Sequence, residues 1–178
     1  MCADCQTYAR WLGKEDEILD DVGGTDVYQT TPARIRIEEG REHIRCVRLS
    51  PKGPYRFYAG CCRTPLANQA VPAGMAFAGV LHPFMDHESA GVSRDEALGP
   101  VRTRVQAKDA TGQAPEGSHR EIKKLSLVGM AAGLLWDRVK GEHVPNAFRN
   151  EDGTPLVEPE ILSKDERNQL RAQCGPQS

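Results

Sequence analysis

The side chains best suited to chemistry in this sequence are cysteines, and they come from two distant stretches of the chain. Cys2 and Cys5 form a C-x-x-C pair, and Cys61 and Cys62 are adjacent. A C-x-x-C spacing lets two thiolates bind one ion, because the turn between them points both sulfurs inward. The pattern predicts metal ligation by these four cysteines. A redox-inert C-x-x-C and two buried thiols are the alternative, because a complete zinc ribbon has two C-x-x-C knuckles.

Cys61 and Cys62 can serve one ion only if the chain bends between them. Adjacent side chains of an extended strand point in opposite directions, so in a straight strand one of the two is a core thiol. The pair follows Tyr58-Ala59-Gly60, where a predicted strand ends. A redox switch made by these two thiols is a third interpretation, and it requires the thiol count to change under mild oxidation.

Other side chains give weaker signals. Cys46 lies in the middle of a predicted strand and is expected to be a small buried hydrophobe. Cys174 lies in a polar tail and is expected to be exposed. His82, Asp86 and His87 follow an apolar strand and could form a metal or acid–base cluster, since imidazole and carboxylate both ligate and titrate. An ordinary polar loop is the favoured interpretation.

The fold that positions these residues is predicted to be mainly β with peripheral helices (α+β). Between Val27 and Gly60 apolar and polar residues alternate with a period of two, and turn residues separate the runs. An antiparallel sheet is the simplest topology. The predicted strands are Val27–Gln29, Ala33–Glu38, His43–Leu49, Tyr55–Ala59 and Met75–Leu81. Their buried face is predicted to include Ile35, Ile37, Val47, Phe57 and Phe77.

Two short helices are predicted near the ends of the chain. The first runs from Asp4 to Leu12 and is stopped by Gly13. The second runs from Ser163 to Ala172, with Ser163 and Glu166 as its capping box.

The longest predicted helix runs from Glu121 to Lys140, with Ser118 as its N-cap. Its apolar face is predicted to bury Leu125, Val128 and Leu135. Core packing is the favoured role of this helix. A subunit interface is the alternative, because Gly129 and Gly133 stand at a spacing that permits close helix contact.

Length and charge limit the number of domains and the kinds of partner that the chain could have. The 178 residues fit a single domain, 1–178, with a C-terminal extension at about 141–178. A formal net charge of −2 gives no basic field to attract nucleic acid or an anionic membrane. No secretion signal is recognisable, so we expect a cytoplasmic protein with reduced or metal-bound thiols. The oligomeric state is left open.

Several segments together point to a family. They are the run from Cys2 to Gly13, Gly23-Gly24-Thr25-Asp26, Tyr58 to Pro65, and the tail around Pro145 to Glu158. They resemble an uncharacterised bacterial branch of the glutathione-dependent formaldehyde-activating enzyme and centromere protein V family. The resemblance implies a β-tent fold, one structural and one catalytic zinc, and carbon–sulfur lyase activity on a glutathione adduct.

In that family a C-x-C-x-x-C segment leads into a short helix, and a later motif reads C-x-x-C-G-T. The resemblance implies that Cys2 and Cys5 are catalytic-zinc ligands and that Cys62, helped by Cys61, is a structural-zinc ligand. The first cysteine of the first motif would fall before Met1, and the family's earlier C-x-C pair is missing. The chain therefore resembles an N-terminally shortened member.

Two functions follow from these residues. The first is a lyase that uses Cys2 and Cys5 as catalytic zinc ligands, with a small thiol such as glutathione as its partner. The alternative is a non-catalytic β-tent binding module with incomplete metal sites. In both cases Cys5 and Cys62 are expected to lie in the same region of the fold.

Overall fold

The computed structural model, described for residues 1–175, is an α+β structure built on a six-stranded, mostly antiparallel sheet. This confirms the predicted fold class. The strands are β1 Val27–Thr30, β2 Ile44–Arg48, β3 Tyr55–Ala59, β4 Pro65–Gln69, β5 Ala78–Leu81 and β6 Glu160–Ile161. The helices are α1 Ala3–Leu12, α2 Glu15–Ile18, α3 Arg94–Leu98, α4 Lys124–Val139 and α5 Lys164–Arg171.

The sheet has the strand order β1-β5-β4-β3-β2-β6. The three hairpin-type pairs β2–β3, β3–β4 and β4–β5 are antiparallel, whereas β6 runs parallel to β2. Within residues 1–175, no helix is both long enough and apolar enough to cross a lipid bilayer.

The chain divides into two compact units. The first unit comprises Met1–Tyr28, Leu81–Lys123 and the segment that begins at Asn168. The second unit comprises Gln29–Val80 and Lys124–Arg167.

The first unit is held together by the buried face of α1. Leu12 is only 2% exposed, and the Gln6 side chain is fully buried. Gln6 donates from Nε2 to the Asp109 carbonyl at 2.7 Å and accepts from the Gly175 N–H at 3.0 Å. Gly13 ends the helix in the left-handed conformation, with φ 66°, which glycine adopts without steric cost. The predicted helix and its stop are both confirmed.

The second unit has its core at the centre of the sheet. Phe57 is fully buried in β3, and its ring lies 4.7 Å from that of Phe148. Phe57 stands opposite Cys46 of β2, so their side chains share one face of the sheet. The neighbouring Val47 is also fully buried and therefore points to the other face. The prediction that Val47 and Phe57 share a buried face was wrong, because the central strands are covered on both sides.

Residues 33–38 do not form the predicted strand. Pro32–Arg34 make a turn of 3₁₀ helix, with proline at its start. Proline favours this position because its fixed φ suits a helical turn and it has no N–H to donate to a sheet. Ile35 and Ile37 nevertheless pack against the core as partly buried side chains. Phe77 precedes β5 and is half-buried.

Helix α4 begins three residues later than predicted, at Lys124, and its apolar stripe is exposed. Leu125 is 82% exposed, Val128 65% and Leu135 63%. The prediction that these side chains are buried was wrong. Among the described side chains of the helix only Leu134 and Asp137 are half-buried, and Arg138 contacts Gly74 so closely that a Cβ there would overlap its guanidinium. Leu127, Met130 and Trp136 are exposed as well, so the helix buries little apolar surface in its own unit.

Candidate functional site

Cys61 and Cys62 lie in the tight turn that joins β3 to β4. The turn is closed by the Ala59 N–H, which donates to the Thr64 carbonyl at 2.8 Å, and by the Arg63 N–H, which donates to the Ala59 carbonyl at 2.7 Å. Arg63 has a positive φ of 58°, which reverses the chain direction. The bend that two adjacent cysteines need in order to face one ion is therefore present.

Gly60 is required just before this turn by close packing. A Cβ at this position would lie 2.9 Å from Arg45 Cγ and 3.3 Å from the His43 carbonyl oxygen. The Gly60 N–H also donates to that carbonyl at 2.7 Å. This contact holds the base of the turn against the start of β2.

The two sulfurs of this turn have the spacing of metal ligands. Cys61 Sγ and Cys62 Sγ are 3.7 Å apart, and both residues are exposed. A zinc–sulfur bond of about 2.3 Å places the sulfurs of a tetrahedral site about 3.8 Å apart. The pair therefore spans one edge of such a tetrahedron without rearrangement. Thr64 Oγ1 lies 3.1 Å from Cys62 Sγ on the same surface.

The thiols of Cys61 and Cys62 are hydrogen-bonded to each other. This hydrogen bond raises the pKa of the Cys61 thiol above its ordinary value. A metal ion that binds here must displace protons, so its affinity falls as the pH falls.

Cys2 and Cys5 form the second pair, at the start of α1. Cys2 is the residue before the first helical position, and its carbonyl accepts from the Cys5 N–H at 2.9 Å. Hydrogen bonding between the two side chains, followed by burial, raises the pKa of the Cys2 thiol. The helix start thus brings the two thiols within hydrogen-bonding reach, as the C-x-x-C spacing predicts.

A shallow cavity of about 200 Å³ opens beside Cys2. Lys108 and Arg171 contribute positive charge to its wall, but both are already paired. Lys108 Nζ lies 3.1 Å from Glu121 Oε1, and Arg171 Nη1 lies 3.3 Å from Asp4 Oδ1. A glutathione-like anion in this cavity would therefore compete with existing ion pairs.

The two remaining cysteines differ in how well the sequence predicts them. Cys46 is 3% exposed, and burial raises its pKa to about 12, which confirms it as a core thiol. The prediction that Cys174 is exposed was wrong, because it is half-buried. Its sulfur lies 3.5 Å from Thr7 Oγ1 and 3.7 Å from Arg10 Nη1, against α1.

The histidines after β5 form a cluster, but not with Asp86. His82 Nε2 and His87 Nε2 are 2.9 Å apart, with ring planes 4° from parallel and centroids 5.1 Å apart. Because the ring centroids are so much farther apart than the two Nε2 atoms, the rings face each other edge to edge through these nitrogens. Chelating imidazoles instead converge on a third point, so this geometry suits a shared proton rather than a metal ion. Asp86 accepts from the Ser89 N–H at 3.0 Å instead.

Asp26 completes this cluster from a distant part of the sequence. Its Oδ2 lies 3.3 Å from His82 Nδ1, and Arg94 binds both of its oxygens, at 2.9 and 3.0 Å. His87 Nδ1 donates to the Val92 carbonyl at 3.1 Å. The cluster ties the polar segment after β5 to residue 26, which lies 56 residues before His82.

Across residues 1–175, no group of three or more His, Cys, Asp or Glu side chains is arranged to hold a metal ion. Each cysteine pair therefore offers two ligands of its own. Cys2 and Cys5 belong to the first unit, and Cys61 and Cys62 belong to the second. That Cys5 and Cys62 share one region stays a prediction.

Fold and site define an α+β protein that presents two cysteine pairs as candidate metal ligands. The chain belongs to the family of unknown function DUF6151, which matches residues 1–155. Comparison with curated proteins and with solved structures finds no match. None of these findings links the chain to the formaldehyde-activating enzyme and centromere protein V family.

Proposed function

We propose that this protein is a binding module that holds a thiophilic metal ion, with zinc as the first candidate, between the Cys61 and Cys62 thiols. The observation that carries the proposal is the 3.7 Å separation of their sulfurs on an exposed turn. Cys2 and Cys5 are the second proposed pair. The cytoplasm, whose reducing conditions keep such thiols from forming disulfides, is the proposed location.

The donor set bears on the choice between a binding module and a lyase. A structural zinc takes four protein ligands, and a catalytic zinc commonly takes three and keeps one open position. The Cys61–Cys62 pair fits two positions of the tetrahedron, which is fewer protein ligands than either a structural or a catalytic zinc takes. Solvent or a small thiol must supply the other ligands, so the pair suits reversible binding of a metal ion better than carbon–sulfur bond chemistry. A small thiol such as glutathione has the right chemistry to occupy an open position.

Cobalt and zinc titration of the reduced, full chain tests this proposal. We expect Co²⁺ to produce thiolate-to-metal charge-transfer absorption and Zn²⁺ to displace it. The double variant Cys61→Ser/Cys62→Ser should weaken binding at least tenfold, whereas Cys174→Ser, which removes a thiol outside both pairs, should not. Lowering the pH should weaken binding by up to about a hundredfold per pH unit if two thiol protons are released.

Two results would overturn the proposal. Unchanged metal affinity in the Cys61→Ser/Cys62→Ser variant would show that the turn is not the site. Turnover of a glutathione–formaldehyde adduct that is abolished by Cys5→Ser would replace the binding module with the lyase.

A further inference from the structure

The partners of His82 and His87 fix where the hydrogen atoms of the two rings lie. His87 Nδ1 is 3.1 Å from the Val92 carbonyl oxygen, which can only accept a hydrogen bond, so this nitrogen carries a hydrogen. His82 Nδ1 is 3.3 Å from Asp26 Oδ2. Arg94 binds both oxygens of Asp26, which is therefore a carboxylate with only lone pairs to offer. His82 Nδ1 thus carries a hydrogen as well.

Only one hydrogen fits between the two Nε2 atoms, which are 2.9 Å apart. Two lone pairs that face each other at this distance repel, and two N–H groups overlap. With one shared hydrogen, the two rings carry three hydrogens on their four nitrogens. Two neutral imidazoles carry only two, so the third is an additional proton and gives the pair one positive charge. We propose that the His82–His87 pair is a proton-binding site that holds a single proton between its Nε2 atoms and thereby closes residues 85–92 against His82.

The charged groups around the pair favour a positive charge. Asp26 is in direct contact with His82. Hydrogen bonds from Ser89, and then the charge of His87, lower the pKa of the Asp86 carboxyl. Carboxylates outnumber cations among the charged groups on this segment or in contact with it, which include Asp26, Asp86, Glu88, Arg94 with its second partner Asp95, and Lys14, which reaches the Phe84 ring and pairs with Glu17.

His82 is the fixed member of the pair, and His87 is the member that the proton holds in place. The His82 N–H donates to the Asp26 carbonyl at 3.0 Å, where the chain leaves β5. This backbone contact does not depend on the charge of the ring. His87 instead lies in a segment in which Asp86 and residues 88–92 are exposed. The shared proton therefore acts on the segment around His87.

Proton linkage gives the direction of the pH dependence. The closed pair holds one additional proton, whereas two separated neutral imidazoles hold none. The state that binds more protons is favoured as the pH falls and disfavoured as the pH rises. We therefore expect the two rings to be in contact at about pH 6 and to separate at about pH 9, which is above the range in which histidines ordinarily titrate.

Nitrogen-15 NMR of the histidine-labelled full chain tests the proposal, with a metal chelator present so that no metal ion binds the rings. The nitrogen shifts distinguish a ring nitrogen that carries a hydrogen from one that has a lone pair. At about pH 6, three of the four nitrogens of His82 and His87 should carry hydrogen, and a nuclear Overhauser contact should join the two rings. At about pH 9, one hydrogen and the ring contact should both be lost.

Two variants separate the shared proton from the fold. In His87→Gln the side-chain amide reaches the position of the imidazole Nε2 and can either donate or accept a hydrogen bond. Its contact with His82 should therefore persist at both pH values. His43→Gln is the matched control, because it removes an exposed histidine that pairs with Glu42 instead. The loss of the ring contact at high pH should be the same in this variant as in wild type.

Three results would overturn the proposal. The first is a count of two or four hydrogen-bearing nitrogens in the pair at about pH 6, which would mean that no single proton is shared. The second is a wild-type ring contact that persists unchanged to about pH 9. The third is a His87→Gln variant that loses its contact with His82 over the same range. The Cys61–Cys62 turn contains neither histidine, so the metal-binding proposal and this one fail separately.

Discussion

Replacing Phe57 by alanine should lower the free energy of unfolding by about 3–5 kcal/mol. The ring is fully buried in β3, with Phe148 at 4.7 Å and Tyr55 at 6.2 Å. Truncation removes its apolar burial and also leaves a cavity, because neighbouring strands fixed by hydrogen bonds can relax only partly. Guanidinium denaturation followed by far-UV circular dichroism measures the change.

Phe77→Ala is the matched control for this measurement. It removes the same atoms from a half-buried position at the edge of β5, so less apolar surface returns to water. We expect a clearly smaller loss of stability. Equal losses in the two variants would contradict the placement of Phe57 at the centre of the core.

How far the sequence predicts the strands depends on residue type. β2 and β3 carry valine, isoleucine and aromatic residues, which are enriched in strands, and both were predicted close to their true bounds. β4 was missed because Pro65-Leu66-Ala67-Asn68-Gln69 contains none of these types. Its buried positions are Pro65, Ala67 and Gln69. Packing and partner strands, rather than intrinsic preference, make this segment a strand.

Helix α4 shows a different limit of prediction from sequence. A repeat of apolar residues at helical spacing predicts a helix, and the structure has one. The same repeat arises whether the stripe faces the core of its own chain or a second molecule. Only the exposure of Leu125 and Leu135 separates these cases, and exposure depends on the rest of the fold.

In the candidate sites, too, the sequence predicts some contacts and not others. The approach of the Cys2 and Cys5 thiols is a local consequence of their spacing, and so is the meeting of Cys61 and Cys62 once the turn exists. Asp26 could not be assigned to His82 from the sequence, because 56 residues separate them and only the folded chain brings them together. Local motifs were therefore predictable, and long-range partners were not.

A buried arginine, which sequence analysis did not single out, organises the end of β4. Arg149 is 8% exposed and donates from Nη2 to the Ala70 and Val71 carbonyls, at 2.5 and 3.2 Å, and from Nη1 to that of Gly153, at 2.7 Å. Its Nε donates to Gln69 Oε1 at 3.3 Å. Burial lowers the pKa of this guanidinium. One side chain thus donates hydrogen bonds to the backbone carbonyls of two separate segments.

Gln69 and Asn146 extend this network. Each amide donates to the other, at 3.0 and 3.1 Å, and Asn146 Oδ1 also accepts from the Phe148 N–H at 3.0 Å. The network therefore fixes the backbone from which the Phe148 ring enters the core. Loss of Arg149 is expected to disturb both the polar contacts and this packing.

We expect Arg149→Met to lower the free energy of unfolding by about 1–3 kcal/mol, because the hydrogen bonds that the charged guanidinium donates to these part-buried carbonyls are lost. Methionine keeps most of the side-chain length, so lost volume contributes little. Arg149→Lys is the control. Its ammonium keeps the charge but lacks the planar fork that reaches Ala70, Val71 and Gly153 together, so an intermediate loss should follow. Denaturation of wild type and the two variants under one set of conditions measures the order of their stabilities. An Arg149→Met variant as stable as wild type would show that these carbonyls find other donors.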